Sequence, residues 1–162
     1  MTAEKNIALF TEFGVMSEVE LHAREEIMYE NYSDVIDIEA KTMVDIANKK
    51  IIPAIERYVG ELCAIARDKA AVFGSRAGTE LERTVLMKLS RLARTAYEKA
   101  ERLKDSAETA AEIAPCNESA FAYKEKVVPL MNELRAAVDE AEGIVPADLW
   151  PLPSYGDMTM KQ

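Results

Sequence analysis

Apolar residues recur every three or four positions along most of this chain, and almost nowhere do they alternate every second position. From Asp34 to about Phe73 the stripe is Ile36, Ala40, Met43, Ala47, Ile51, Ala54, Tyr58, Leu62, Ile65 and Val72. Such spacing keeps one face of a helix apolar, in the manner of a coiled-coil seam. Pro53 lies inside that stripe, with no N–H to give and a ring that crowds the carbonyl of Lys49, so a kink is expected there. A second stripe, Leu81, Val85, Leu89, Leu92, Ala96, Leu103, Ala107 and Ala114, runs without Gly or Pro from Thr79 to Ala114. A helix of about 35 residues would be roughly 50 Å long. The third, Ala120, Tyr123, Val127, Leu130, Leu134, Val138 and Ala141, contains Pro129, a second expected kink.

Punctuation between the stripes sets the boundaries. Ser17 with Glu20 in "SEVE" is a capping-box pattern that starts a helix at Glu18, and Thr79 with Glu82 in "TELE" repeats it. The first of these helices either runs on past Asn31 to Ser33 or breaks there, where poor helix formers cluster. "FGSRAG" supplies a turn, Pro115 stops the second long helix, Asn117 or Ser119 is the expected cap of the third, and Gly143 sits where a left-handed closing residue is favoured. Long amphipathic helices with short connections pack antiparallel. The expected fold is therefore all-α: an antiparallel bundle of three long, kinked helices, with shorter N-terminal helices and an extended Pro/aromatic C-terminal tail. The bundle is assigned to residues 1–143 and the tail to 144–162. In "LWPLPSYGD", Pro151 and Pro153 are expected to hold the tail extended, with Leu149, Trp150 and Tyr155 as its anchors.

The composition suits a folded chain of this size. Of 162 residues, 49% are hydrophobic and 30% charged, far from the polar composition that keeps a chain disordered. Twenty basic against 29 acidic residues leave a net charge of −9, which opposes binding to phosphate backbones and argues against a nucleic acid partner. The charge is uneven, with nine acids against Arg24 and Lys41 in 18–45, and thirteen basic residues against seven acids in 49–104. Such faces are solvated helix surfaces in the first instance, or complementary faces that meet within one bundle or between copies. No run of 18 apolar residues occurs, so no membrane span is expected. "MTAEKNIALF" lacks the features of a secretory leader, and a cytoplasmic location is expected. Cys63 and Cys116, 53 residues apart, read as buried reduced thiols rather than a disulfide framework.

Candidate chemistry is sparse. His22 shares a helix face with Glu18, but zinc needs three or four ligands and no further His or suitably spaced thiolate supplies them. The ExxH pairs of di-iron bundles are missing. Glu25, Glu26, Asp34, Asp37 and Glu39 are acidic enough for proton transfer, yet read first as a solvated helix face. "FGSRAGTE" lacks the GK[ST] of a phosphate loop. No catalytic, cofactor-binding or metal residue is assigned.

Three stretches in order carry a resemblance. The first holds Gly14, Val15, Ser17 and Glu18, then Glu20, Leu21, Arg24 and Glu26, then Ile38, Glu39, Ala40, Thr42 and Met43, and finally Ile51, Pro53 and Ala54. The second is "FAYKEKVVPLMNELRAAVDEAE" and the third "LWPLPSYGD". Together they resemble the C-terminal region of type III glutamine synthetase. The resemblance implies that the metal, ATP and glutamate sites lie upstream of the matching region, with ATP and Mg used by the intact enzyme and none bound in this chain. It also implies a packing role, with the catalytic domain of the same enzyme and neighbouring subunits as partners in a homo-oligomer. A free-standing helical adaptor or scaffold is the alternative.

Overall fold

The computed structural model describes residues 2–74 and 78–153. They form six α-helices: α1 (Glu4–Glu12), α2 (Glu18–Ile46), α3 (Ile52–Phe73), α4 (Glu80–Ala111), α5 (Cys116–Ala122) and α6 (Val128–Glu142). Among the described residues there is no strand. The three long helices of the sequence are present: α2 runs into α3 through a π turn at Ala47–Ile51, α4 is unbroken, and α5 runs into α6 through a second π turn at Tyr123–Val127. Only α1 remains short and separate. The poor helix formers at Asn31 to Ser33 do not interrupt α2.

The two π turns are the local answer to the two prolines. Each turn ends two residues before its proline, which then stands at the start of the next α-helix. In an α-helix the Pro53 ring would press on the Lys49 carbonyl, and the Pro129 ring on that of Glu125. One wide turn shifts the ladder to the next register and moves those carbonyls aside. Both turns also point inward: Ala47 and Ile51 are buried in one, Tyr123 and Val127 in the other.

Helix α4 is the axis of the bundle, with α2, α3 and α6 packed around it. Lys88 pairs with Glu140 and Lys99 with Glu133, so numbers rise along α4 as they fall along α6, as antiparallel neighbours require. One end of the core gathers Ala40, Ala47, Ala96, Ala100, Leu103 and Ala107 with Tyr123, Val127 and Leu134. The other gathers Ile51, Ile55, Leu62, Leu89 and Leu92 with Ala141, Val145 and Trp150. The first end is rich in alanine, which lets helix backbones approach closely; the second is filled by larger side chains.

Several local expectations are corrected. The Ser17–Glu20 capping box forms, but the Thr79 side chain makes no capping bond. Glu82 turns instead to Lys69 of α3, 2.6 Å away, tying the two helices across the turn that Gly74 and Gly78 make with positive φ. The last long helix starts at Cys116 after Pro115, so neither Asn117 nor Ser119 is its cap. The Ser119 hydroxyl donates to the Ala110 carbonyl at 2.9 Å and closes the end of α4. Gly143 closes α6 in a right-handed conformation, φ −66°. Ile65, Val72 and Leu81 are exposed, because the seam rotates away from them near the α3–α4 turn. Cys63 is exposed beside buried Leu62, and Cys116 is half-buried; both are free. The tail does not run straight: Leu149 and Trp150 N–H groups both donate to the Pro146 carbonyl in a tight turn. That turn drives the Trp150 ring into the core, 8% exposed, with Leu149 and Leu152 beside it. Tyr155 lies outside the described residues.

Candidate functional site

The candidate residues for chemistry do not converge. His22 and Glu18 are both exposed on α2. Among the described residues no three His, Cys, Asp or Glu side chains are placed to hold a metal. Mg²⁺ asks for oxygens gathered in one octahedral set, and the α2 carboxylates are instead spread along the helix with separate partners. Glu25 accepts from the Thr2 hydroxyl at 2.6 Å and from the Thr2 N–H at 3.2 Å, which hold its carboxyl below the usual range. Asp37 accepts from the Tyr123 hydroxyl at 3.1 Å and pairs with Lys41 at 2.6 Å. Glu26, Asp34 and Glu39 are exposed. These residues do not fit a metal–nucleotide group.

The Tyr123 contact is a structural fastener. Its ring is buried and its hydroxyl also donates toward the Ala107 carbonyl at 3.4 Å, so one side chain links the π turn, α2 and α4. Burial, with Asp37 alongside, pushes its pKa up to about 12. A phenol that resists ionisation so strongly is a hydrogen-bond donor at neutral pH and no general base.

What the geometry does build is a surface. Along one flank of α2, Arg24, Met28, Asn31, Val35, Ile38 and Thr42 follow one another at alternating steps of four and three residues, all exposed, with Met28, Val35 and Ile38 its apolar members. This is the period of a seam that meets another helix or ridge, yet nothing among the described residues covers it. Beside its N-terminal half lies a groove of about 300 Å³ between α2 and α5, lined by Met28, Tyr29, Tyr32, Ala120 and Phe121, with Glu25 and Lys124 at its edges. Leu9, Phe13, Val15 and Val19 extend the exposed apolar surface toward α1. Sequence reading missed this stripe because it sought the apolar face that packs inward. The signal was there, in the 24–28–31–35–38–42 spacing, on the flank of α2 beside the core seam.

As a class, the described residues define an all-α bundle with an exposed stripe along α2. Comparison with known proteins shows what the chain is similar to. Residues 1–69 match the family model described as glutamine synthetase C-terminal domain. The chain is 31% identical over 157 residues to the glutamine synthetase of Butyrivibrio fibrisolvens, covering 96% of this chain and 22% of that protein. It is 27% identical over 161 residues to the type-3 glutamine synthetase of Dictyostelium discoideum, covering 98% of this chain and 22% of that one. A third relative, the glutamine synthetase of Bacteroides fragilis (strain YCH46), is 23% identical over 147 residues. This chain thus resembles the C-terminal region of the glutamine synthetases, the type-3 class among them, and it spans about one fifth of the length of the relatives it matches.

Proposed function

We propose that this chain is the C-terminal helical region of an ATP-dependent glutamate–ammonia ligase, and that its work is subunit packing and oligomer assembly rather than catalysis. On this reading ATP and Mg are held by the rest of the enzyme, the assembly is a homo-oligomer in the cytoplasm, and the partners are the catalytic domain and neighbouring subunits. The observation that carries it is the match of nearly the whole chain to one fifth of each relative, with a C-terminal domain model covering residues 1–69. Its physical support is a bundle whose helices expose an apolar seam, since a surface of that kind is commonly completed by another protein surface.

The test is replacement. The Butyrivibrio fibrisolvens enzyme, carrying this chain in place of its own matching fifth, is expected to assemble to its parental size and to form glutamine from glutamate, ammonia and ATP. The 162-residue chain alone is expected to show no turnover in the same assay. Turnover by the chain alone, or a chimera that stays unassembled, overturns the reading.

A further inference from the structure

The seam of α2 is left over by the bundle, and its rim indicates what covers it. Met28, Val35 and Ile38 are 59%, 54% and 64% exposed, although each lies on a helix that is otherwise anchored to the core through Leu21 and Ala40. Asp34 and Glu39 border the stripe with exposed carboxylates. Around Val35 and Ile38 the ammonium on the same border, Lys41, is taken up by Asp37, and the exposed cation of the stripe, Arg24, stands at its far N-terminal end. A second copy of this face laid against the first would set carboxylate against carboxylate, which disfavours self-pairing. An apolar surface rimmed by Lys or Arg suits it.

Such a surface has an obvious place to come from if the chain is the C-terminal region described above, and the inference rests on that reading. More than three quarters of each relative's length has no counterpart in this chain. The family match begins at residue 1 and covers the entire stripe. Of the large apolar residues left exposed among the described residues, nine of sixteen fall between Leu9 and Ile38, so the unfinished surface is concentrated in the family-matched segment. We propose that the outer face of α2 is the seat of the remaining part of the same glutamine synthetase polypeptide, which meets it with an apolar patch edged by basic side chains.

The experiment uses the chimera above with lysines at the seam, Val35→Lys with Ile38→Lys, against a control pair, Val72→Lys with Met87→Lys. The control residues are both 76% exposed and lie off this face. The seam pair is expected to lower the assembled, active fraction by about tenfold or more, as buried interface anchors do; the control pair is expected to leave it unchanged. Asp34→Lys with Glu39→Lys should weaken assembly as well, most at low salt. In the isolated chain the seam pair is expected to leave melting unaltered, which separates docking from folding. If the lysines unfold the chain, Val35→Asn with Ile38→Asn carries the same test. A seam-variant chimera that assembles like its parent overturns the proposal while leaving the proposed function standing. So does a dimer of the isolated chain in sedimentation that the seam pair dissolves, since that hands the face to a second copy. A parent chimera that never assembles overturns the proposed function, and this inference with it.

Discussion

Helices α2 and α4 are nearly the same length, 29 and 32 residues, and the bundle uses them in opposite ways. Helix α4 buries nine residues, among them Leu89, Leu92, Ala96, Ala100 and Leu103. Helix α2 buries only Leu21 and Ala40, and leaves Val19, Ile27, Met28, Val35 and Ile38 in solvent. Both are amphipathic enough to form. The difference lies in neighbours: α4 is enclosed by α2, α3 and α6, whereas α2 packs mainly on α4 and α5 and, among the described residues, has no long helix on its remaining side. Apolar residues on that side gain nothing from this fold, and burying each elsewhere would be worth about 1.5–3 kcal/mol. The comparison teaches that α4 is explained by the chain itself and α2 is explained only in part.

The largest expected effect lies where the tail closes on α4. Trp150 stands with Leu89, Leu92 and Ala93, and its indole N–H has no hydrogen-bond partner among the described residues. Its ring therefore contributes through burial. Trp150→Ala is expected to cost about 3–5 kcal/mol, read as a lower urea midpoint at unchanged slope. Next comes the axis itself. Leu103 is fully buried among alanines, so its neighbours are too short to collapse into the space it would leave, and Leu103→Ala is expected to cost about 2–5 kcal/mol in the same measurement. A cost below 1 kcal/mol at either position would remove α4 from the centre of the account.

How much of this was legible beforehand follows the same division. The α4 stripe was readable at Leu89, Leu92, Ala96, Leu103 and Ala107, because a central helix must satisfy one periodicity on the face that every neighbour shares; Leu81 is exposed, Ala114 lies beyond the helix, and the buried Ala93, Ala100 and Ala110 were missed. The π turns were not readable as such: Pro53 and Pro129 announced a disturbance, but whether a helix bends, stops or widens depends on what Ala47, Ile51, Tyr123 and Val127 must reach inside. The Thr79 cap failed because Glu82 had a better use, an ammonium from α3, that no local pattern could reveal. The α2 seam was overlooked for a related reason. Periodicity marks a face as apolar without saying whether the fold or a partner will cover it, and in α2 both kinds of face share one sequence.

Tyr123 supplies a smaller, pH-dependent test of how α2 is held. Its hydroxyl fastens Asp37 of α2 to the core, and Tyr123→Phe is expected to cost about 1 kcal/mol near neutrality. The folded pKa is raised, to about 12 against an ordinary 10, so the phenol's contribution is complete below pH 10 and is lost as pH climbs toward 12. Stability of the native chain should therefore fall more steeply than that of the Phe variant across this interval, in parallel urea titrations. Parallel curves would mean that the hydroxyl is solvated and α2 is held by packing alone.

The smallest effect is the most discriminating. Ile38 is 64% exposed, and Ile38→Ala in the isolated chain removes side-chain surface that is mostly wet already, so stability should change by no more than about 0.5 kcal/mol. A buried isoleucine in α4's surroundings, such as Ile55, would lose about 2–5 kcal/mol on the same substitution. The ratio of the two, measured by urea denaturation, states the contrast between the helices in one number. If Ile38→Ala proves as costly as Ile55→Ala, α2 already buries its outer face within this chain. The seam is then part of the core, and the leftover surface on which a partner is proposed does not exist.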